Sequence, residues 1–528
     1  MAYEVNGVGQ AISLIAPTIS KSEIRPAKHN RGLVIQESLT YEETCLINAI
    51  WYRGREDELQ QLYQKLGKRG ISNIFWGKAP DNPNYDVTRI STGFAAMMVD
   101  TMANVCLGDM RDITFTDKQS TDIWQAIAKE NHFSNFADSS LKGVLSIGGG
   151  AAKLSYETCL SMYPIIEFYA GDTVDFVRYR GRIQELVFKT KYVHNEHEYV
   201  LRERYGYGYI LNNLFKGDAE VPLSEVPELA GIRDIGFAGG VVKNGKVIKK
   251  GDYILGVPFI IYPSAKYEGR GESIYEKKIG LLSALDGDVS QWQDVMEAGA
   301  PRTFIDKKYL GVNQQNGTFL TPNNYNRFFI VDGARTQKGE YGIDTVQFDI
   351  NWQAYYETRN SLIDSILMGW MSPATLGMNL ATSNSGESVR EKEKVTMCTR
   401  AFIVEAMSEV VKELARISVQ SYYDYHGISA TAGEPNVDFG DYASPTADAI
   451  APVLTQGVQG GWMSRKTAIR EYNGDSKTDE WVEQEYALIK EEANWGYASL
   501  DEPDYGGDVN YPDDEDDIDE PEDKDLEE

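Results

Sequence analysis

The chain has 528 residues, 42% of them hydrophobic and 25% charged, and at roughly 150 residues per domain this length predicts three or four domains. These proportions are those of globular proteins, so most of the chain is neither disordered nor collagen-like. The formal net charge is −28, and residues 501–528 alone hold 16 acidic residues and one lysine. This charge argues against a protein that grips duplex DNA with a basic face.

The cysteines and the apolar segments indicate in which cellular compartment the protein folds. Four cysteines are spread along the chain without a CxxC or CxxH pair: Cys45, Cys106, Cys159 and Cys398. Such spacing argues against a zinc knuckle and against a disulfide-dense secreted domain, so we expect a reducing cytoplasm. No basic segment precedes the apolar stretch AISLIAP, so no signal peptide is expected. The longest apolar run, residues 253–263, is about half of the roughly 20 residues that a membrane helix needs and predicts a buried strand.

The first half of the chain changes from a helical to a strand pattern. Residues 41–66, 89–107 and 121–147 carry apolar residues at three-to-four spacing, each followed by a glycine that would end a helix. Residues 151–263 instead show short alternating stretches separated by Gly-Asp and Asn-Gly pairs. This second pattern predicts antiparallel strands and hairpins.

The second half returns to helices. One apolar stripe predicts a helix over residues 272–297, and residues 351–371 predict a second helix that runs back along the first. Between them lies a mixed segment, so the pair would form two legs joined by a small projecting module. The remaining predictions are a loop, a long helix, an isolated strand, a helical region and a charged tail, in that order: 372–385, 386–425, 436–442, 447–494 and 500–528.

Several motifs imitate catalytic or binding sites. The spacing Gly240-x4-Gly245-Lys246 is that of a phosphate-binding loop, but Val247 stands where Mg²⁺ chemistry needs a hydroxyl group, and the pattern is that of a hairpin. His194 and His197 could suggest a metal site, but strand alternation would place them on opposite faces, which favours an exposed hairpin tip. We therefore expect no metal, no cofactor and no nucleotide hydrolysis.

Catalysis has no motif to support it. The chain has five histidines and no GxSxG or HExxH motif. Its 32 tyrosines and 9 tryptophans would suit carbohydrate stacking beside paired carboxylates, so a carbohydrate-active hydrolase remains the alternative function. Nothing in the spacing selects a carboxylate pair.

One feature of the first leg and one of the projecting module are unusual. Gly280 and Gly287 lie seven residues apart in the first predicted helix, where each costs roughly 1 kcal/mol relative to alanine, which suggests close approach of a neighbour or tolerance at an exposed face. The projecting module has two acidic residues between positions 298 and 338 and six basic ones: Arg302, Lys307, Lys308, Arg327, Arg335 and Lys338. This basic island is either scattered solvated charge or a docking surface.

The order of these segments over residues 75–494 resembles the portal proteins of tailed bacteriophages, of the siphophage type. Each matching stretch is weak alone, but the whole series in this order is specific. The stretches are WQAIAKENHFSNFADSSLKGVLSIGGGAAK, GDTVDF, GRIQELVF, PFIIY, SIYEKKIGLLSALDGDVSQWQDV, VQFDINWQAYYETRNSLIDSILMGW, GESVREKEKVTMCTRAFIVEAMSEVVKEL, VDFGDYA, GGWMSRKTAIREYNG and EWVEQEYALIKEE.

The resemblance implies an α+β portal fold with wing, helical stem, clip and helical crown, assembled as a ring. The implied boundaries are the wing at 1–270, stem helices at 271–297 and 351–371, the clip at 298–350, the tunnel loop at 372–385, the long helix and a wing strand at 386–442, the crown at 443–499, and a disordered acidic tail at 500–528. The tail lies outside the matching pattern, and the first 70 residues match only loosely.

The implied function is that of a non-enzymatic virion protein at the unique capsid vertex, assembled in the host cytoplasm. Such proteins form homo-oligomeric rings, usually of twelve subunits, through which double-stranded DNA is packaged and ejected. The implied partners are the terminase large subunit, which carries the ATPase, a head-completion or adaptor protein, the major capsid and scaffolding proteins, and DNA that passes non-specifically; no membrane is involved. A net negative body suits this passage because it offers few phosphate contacts.

The resemblance also assigns three sets of residues. Stem packing would involve Gly280, Gly287 and Trp292, and the basic island of the clip would dock terminase and head-completion proteins. The tunnel loop would face the channel with uncharged residues: Leu376, Met378, Asn379 and Leu380.

Overall fold

The structure is a computed structural model, and the chain divides into two compact units, residues 1–442 and 443–528, which are described separately. The residues it describes are 39–73, 75–77, 88–157, 159–243, 245–300, 302–306, 311–312, 319–320, 328–331, 343–347, 349–378, 386–440, 447–473 and 479–497.

The described part of the first unit begins with the helices α1 (Tyr41–Arg53), α2 (Glu56–Gly67), α3 (Phe94–Leu107), α4 (Lys118–Glu130) and α5 (Phe133–Ile147). The side chain of Thr40 and that of Glu43 form a capping box that fixes the start of α1. The single helix expected over residues 41–66 is wrong, because Gly54 takes a left-handed φ of 61° and ends α1 there. The helix expected over residues 121–147 is likewise interrupted at His132, whereas Gly148 ends α5 as expected.

The middle of the unit is built from antiparallel strands. Their bounds are β1 (Thr114–Phe115), β2 (Gly150–Ser155), β3 (Ile165–Ala170), β4 (Val174–Tyr179), β5 (Arg182–His194), β6 (His197–Gly206), β7 (Tyr209–Lys216), β8 (Ala219–Val221), β9 (Ile235–Gly236), β10 (Val241–Lys243), β11 (Lys246–Lys249) and β12 (Gly256–Phe259). One sheet has the order β12-β2-β3, a larger one β4-β5-β6-β7-β8 with β9 on β7, and β10-β11 is a separate hairpin. The predicted antiparallel hairpins are confirmed.

Two helices flank the projecting module. They are α6 (Ile279–Ala298) and α7 (Trp352–Leu367). The described strands between them are β13 (Arg302–Asp306), β14 (Gly311–Val312), β15 (Phe319–Leu320), β16 (Phe328–Val331) and β17 (Ile343–Val346). The expected start of the first helix at residue 272 is wrong, because a 3-10 turn at Glu276–Lys278 precedes α6.

The unit closes with α8 (Gly386–Tyr425), whose bounds are those predicted, and with β18 (Pro435–Asn436). One face of α8 is buried in the core, with Ile403, Met407 and Leu414 at most 1% exposed. The strand expected over residues 436–442 is much shorter, and it is not isolated, because β18 pairs with β1. One continuous core joins α1–α8 to the sheet of β2, β3 and β12.

The second unit is helical where it is described, as predicted. Its helices are α9 (Ala447–Gln459), α10 (Arg465–Asn473) and α11 (Asp479–Tyr497). Lys466 of α10 pairs with Glu483 of α11 at 2.6 Å, and Val482 is buried.

Candidate functional site: the two-helix stem and the turn that follows it

The helices α6 and α7 form an antiparallel pair, which we call the stem. Near the end of α6 the Trp292 ring lies 5.2 Å from the Tyr355 ring near the start of α7. At the other end, the Lys278 ammonium donates hydrogen bonds to the backbone carbonyls of Ile366 and, at 2.9 Å, Met368. The lysine therefore satisfies carbonyl groups that the end of α7 leaves without helical partners. Partial burial lowers the pKa of Lys278.

A buried carboxylate fixes α6 to the segment before α3. The amide and hydroxyl groups of Thr92 donate to Asp286 Oδ1 at 2.8 and 2.7 Å, and the Ile90 amide donates to Ser290 Oγ at 3.0 Å. Asp286 is 1% exposed. Burial raises the pKa of its carboxyl group to about 6, although the hydrogen bonds from Thr92 act in the opposite direction.

The residues predicted to pack the stem differ in their surroundings. Trp292 packs on Tyr355 within the chain. A Cβ atom at Gly287 would lie 3.5 Å from the Phe75 ring, whereas nothing within 4 Å would meet one at Gly280. An added Cβ would therefore make an ordinary van der Waals contact at Gly287 and none at Gly280, so neither position requires glycine within the subunit.

Several large apolar residues of the stem are in contact with solvent. Trp352 and Tyr356, one turn apart on α7, are 62% and 50% exposed, and Met296 of α6 is 45% exposed. A two-helix projection with this surface leaves aromatic area uncovered in the single subunit.

After α7 the chain makes a tight turn against the start of α8. The Ser372 amide donates to the buried Thr396 hydroxyl group at 2.9 Å, and Thr375 and Thr396 share a hydrogen bond of 2.9 Å. Leu376 ends the 3-10 turn Pro373–Leu376, and both it and Met378 are half-buried against the main core. Of the four residues predicted to face the channel, Asn379 and Leu380 lie outside the described residues.

The basic island is described only in part. Arg302 begins β13, which pairs in parallel with β16 and antiparallel with β17. The other five basic residues lie outside the described part of the chain: Lys307, Lys308, Arg327, Arg335 and Lys338.

The two motifs that imitate other sites are hairpin turns. Lys246 begins β11, which pairs with β10, so the glycine-lysine motif is followed by a strand, as expected. The hairpin tip expected at the histidines is confirmed, but their expected placement on opposite faces is wrong. His194 and His197 are cross-strand partners and share a face, because a two-residue turn returns the chain between them. Within the described residues no group of three or more His, Cys, Asp or Glu side chains could hold a metal ion.

Sequence reasoning missed Asp286 and Lys278. The available signal for Asp286 was its place between Leu285 and Val289 on the apolar side of a helix, where a carboxylate requires a hydrogen-bonding partner. For Lys278 there was none, since its partners are backbone carbonyls about 90 residues away. No helix among the described residues is long and apolar enough to cross a membrane.

The solved structures that are similar to this chain include components of gene transfer agent (GTA) particles. The chain matches a component of the "Virion of native gene transfer agent (GTA) particle" with 12% identity and a TM-score of 0.37, covering 72% of this chain and 89% of that one. It matches components of the "Neck of empty GTA particle computed with C6 symmetry" and the "Neck of native GTA particle computed with C12 symmetry" with 12% identity and TM-scores of 0.38 and 0.36. These matches cover 71% and 73% of this chain and 87% and 90% of those chains.

Comparison with sequence families gives a match over most of the chain, although no curated protein matches it. The family described as "Phage portal protein, SPP1 Gp6-like" matches residues 48–495. Among the described helices, the match leaves out only the first two turns of α1 and the last residues of α11. The chain belongs to the SPP1 Gp6-like family of phage portal proteins.

Proposed function

We propose that this chain forms the portal ring at the unique capsid vertex of a virion. Subunits, twelve by the family resemblance, close around a central channel through which double-stranded DNA is packaged and later ejected. The proposal extends from family membership, and the portal family is structural rather than enzymatic. The carbohydrate-active hydrolase considered from composition has no support beyond the aromatic content.

The single observation that supports ring assembly best is the exposed aromatic surface of the stem. Trp352 and Tyr356 flank Tyr355 on α7, and both are at least half exposed. Buried tryptophan and tyrosine side chains dominate many protein interfaces. In a cyclic ring each subunit presents one surface to the next subunit, so the stem of one copy can cover the aromatics of another.

Two adjacent tyrosines test this role. Tyr356→Ser should leave the subunit folded and greatly reduce the yield of rings, because Tyr356 is 50% exposed in the single subunit. Tyr355→Ser is the matched variant: it removes the partner of Trp292 and should lower the thermal stability of the subunit itself. Circular dichroism measures folding, and size-exclusion chromatography measures assembly. Normal rings from Tyr356→Ser would contradict the stem contact.

The remaining assignments belong to the same proposal. Residues 1–270 with the strand expected near Asp438 would form the wing, 298–350 the clip, 372–385 the tunnel loop and 443–499 the crown. The loop would present Leu376, Met378, Asn379 and Leu380 to DNA. Uncharged side chains suit this position because each cation near the duplex would add salt-dependent affinity and slow its passage.

The clip would supply the docking surface outside the head. Its six basic residues would orient terminase during packaging and the head-completion protein afterwards, since complementary charge mainly sets encounter rate and orientation. The rival is that these residues pair with acidic side chains of the neighbouring subunit. The wing would adjoin the major capsid and scaffolding proteins. The acidic segment 501–528 would be dispensable for ring formation.

A further inference from the structure

We propose that two neighbouring basic hairpins form a surface that binds the phosphate backbone of duplex DNA. The first hairpin joins β4 to β5, and the second joins β10 to β11. Together they carry six exposed basic residues, which we call the hairpin patch: Arg180, Arg182, Lys243, Lys246, Lys249 and Lys250. The inference rests on the proposed function, because a portal brings this chain into contact with duplex DNA, and it adds a DNA contact to that of the tunnel loop.

The charge of the two hairpins departs from that of the chain. Residues 176–184 and 235–251 contain seven basic residues and no acidic one, although the whole chain has a net charge of −28. The seventh, Arg178, donates to backbone carbonyls. Elsewhere in the same sheet Arg204 pairs with Glu185 at 2.7 Å. Among the described residues no carboxylate forms an ion pair with a member of the hairpin patch, so its positive charge is uncompensated.

A hydrogen bond places the two hairpins side by side. The Lys250 ammonium donates to the Gln184 amide oxygen at 3.1 Å, and Gln184 lies two residues after Arg182 on β5. The base of the second hairpin therefore lies beside the arginines of the first. From Lys250 back to Lys246 the chain runs along β11, which extends the charge by about 13 Å at 3.3 Å per residue. The hairpin patch is thus a strip that can meet more than one phosphate group.

The hairpin of β10 and β11 is a solvated ribbon that is fixed at its base. No residue described in either strand is buried, and the two strands form a sheet of their own. At the base the Gly251 amide donates to the Tyr207 carbonyl at 2.8 Å, and a Cβ atom on Gly251 would clash with the Ala238 carbonyl oxygen. This close packing of backbone holds the base in place. A two-stranded ribbon is narrow enough to enter the major groove of DNA, which is about 12 Å wide.

The tip of the ribbon contains a repulsive contact that folding alone does not explain. Lys243 and Lys246 are cross-strand partners next to the turn. Like charges that lie directly opposite each other destabilise a strand pair. Lysines on a sheet edge do prevent pairing with other chains, but that role requires neither two opposed lysines nor arginines on the neighbouring hairpin. A bound polyanion would compensate the repulsion.

Duplex DNA fits this strip better than an acidic peptide does. DNA is a stiff rod with phosphate groups at fixed intervals, so one duplex can meet both hairpins, whereas a peptide loses conformational freedom when it binds. The guanidinium groups of Arg180 and Arg182 match the geometry of phosphate oxygens. The uncharged tunnel loop has the opposite chemistry, as expected if one surface holds DNA and the other lets it slide.

A circular duplex tests the hairpin patch on assembled rings of the full chain. A covalently closed circle has no end that can enter a closed channel, so its binding measures surfaces outside the channel. Filter binding with a labelled circle gives the affinity. We expect rings to bind it at about 50 mM salt and to lose about a hundredfold in affinity by about 200 mM, as about four phosphate contacts would require. Unassembled subunits should bind the same circle, because the patch lies within one chain.

Charge reversal supplies the specific readout. The Arg182→Glu, Lys246→Glu variant should fold normally, because Lys246→Glu replaces a like-charge pair with an attractive one. Its rings should bind the circle at least about tenfold more weakly. The Lys65→Glu, Lys68→Glu variant, at exposed positions around the end of α2, changes the net charge equally and should bind as the unaltered rings do. Neither variant should change terminase docking, which is assigned to the clip.

Three outcomes would overturn the hairpin patch. The two variants could bind the circle equally, the unaltered rings could fail to bind it at low salt, or poly-glutamate could displace it at a lower concentration of charge. The last result would make an acidic protein the occupant. All three leave the portal proposal standing, because closed rings are observed independently by electron microscopy. If the chain forms no rings, the proposed function fails, and the binding of the circle to subunits still decides whether the patch holds DNA.

Discussion

Asp286 in the middle of α6 accepts hydrogen bonds from both the amide and the hydroxyl group of Thr92, which lies just before α3. The contact joins two segments 194 residues apart in the sequence. The contact holds the stem to the N-terminal helices through a carboxyl group. Because this group is buried, its charged form is disfavoured. We therefore expect the stem attachment to depend on pH.

Asp286→Asn should remove that sensitivity. The pKa of Asp286 is about 6 in the folded chain against an ordinary value of 3.8, so between these values the folded state holds a proton that the unfolded state has lost. The contribution of this group to the free energy of unfolding therefore falls as pH rises from about 4 to 6 and is constant above.

Urea unfolding at pH 4 and pH 7.5 checks this prediction. Relative to the unaltered chain, Asp286→Asn should gain about 2–3 kcal/mol between the two pH values. Glu297→Gln, at the exposed end of the same helix, is the control and should show a much smaller change. An equal difference between Asp286→Asn and the unaltered chain at both pH values would show that the carboxyl group ionises normally.

Lys278→Met should weaken the stem from its other end. The substitution keeps the apolar part of the side chain but leaves the carbonyls of Ile366 and Met368 without their charged donor, at a cost of about 1–3 kcal/mol. Lys277→Met is the matched control, since the Lys277 ammonium pairs with Glu272 on the surface. Thermal unfolding should separate the two variants. Equal stability of both would mean that water replaces the lysine at the end of α7.

Most local elements could be predicted from the sequence, whereas most long-range contacts could not. The bounds of α8 follow from an uninterrupted helical pattern between a Ser-Asn-Ser loop and Gly427. The break after Arg53 was missed because the apolar spacing continues through Gly54 in the sequence, whereas its left-handed backbone is visible only in the structure. The pairing of His194 with His197 depends on where a two-residue turn falls, and an error of one residue there reverses which side chains share a face.

In the candidate site, too, local patterns identified single residues but not their distant partners. Trp292 was recognisable as part of an apolar stripe, but its partner Tyr355 comes from a helix that begins more than fifty residues later. Asp286 and Lys278 act through a threonine and through backbone carbonyls, which no pattern in the sequence marks. The turn after α7 was expected as an open loop, yet Thr375 and Thr396 tie its first part to α8.

Charging the loop after this turn should impair passage of DNA. The double variant Met378→Lys, Asn379→Lys should form normal rings but package less DNA, because added cations would bind phosphates along the channel. DNA content per head, measured by nuclease protection in an assembly extract, gives the result. The charge-neutral Met378→Leu, Asn379→Gln variant controls for altered packing. Normal packaging by the lysine variant would show that the loop does not line the channel.

Reversing charge in the clip should slow docking without preventing assembly. We expect rings of the Lys307→Glu, Lys308→Glu variant to bind terminase more slowly and with a steeper dependence on salt, since paired charges govern association rate. Association rates at two ionic strengths test this expectation.

A second charge reversal is the matched control for docking. The Lys249→Glu, Lys250→Glu variant changes the net charge by the same amount at two exposed positions at the end of β11, and its rings should bind terminase at the normal rate. Ring yield is measured in the same preparations. Broken rings from the clip variant, or clip-variant rings that bind terminase at the normal rate, would favour pairing between neighbouring subunits.

Electron microscopy of the purified full-length protein tests the central claim most directly. A portal should appear end-on as closed rings with a central channel, and the mass of the particle should be a whole multiple, about twelvefold, of the 59.2 kDa subunit. Uniform particles of one or two subunits under all conditions of salt and concentration would contradict the account.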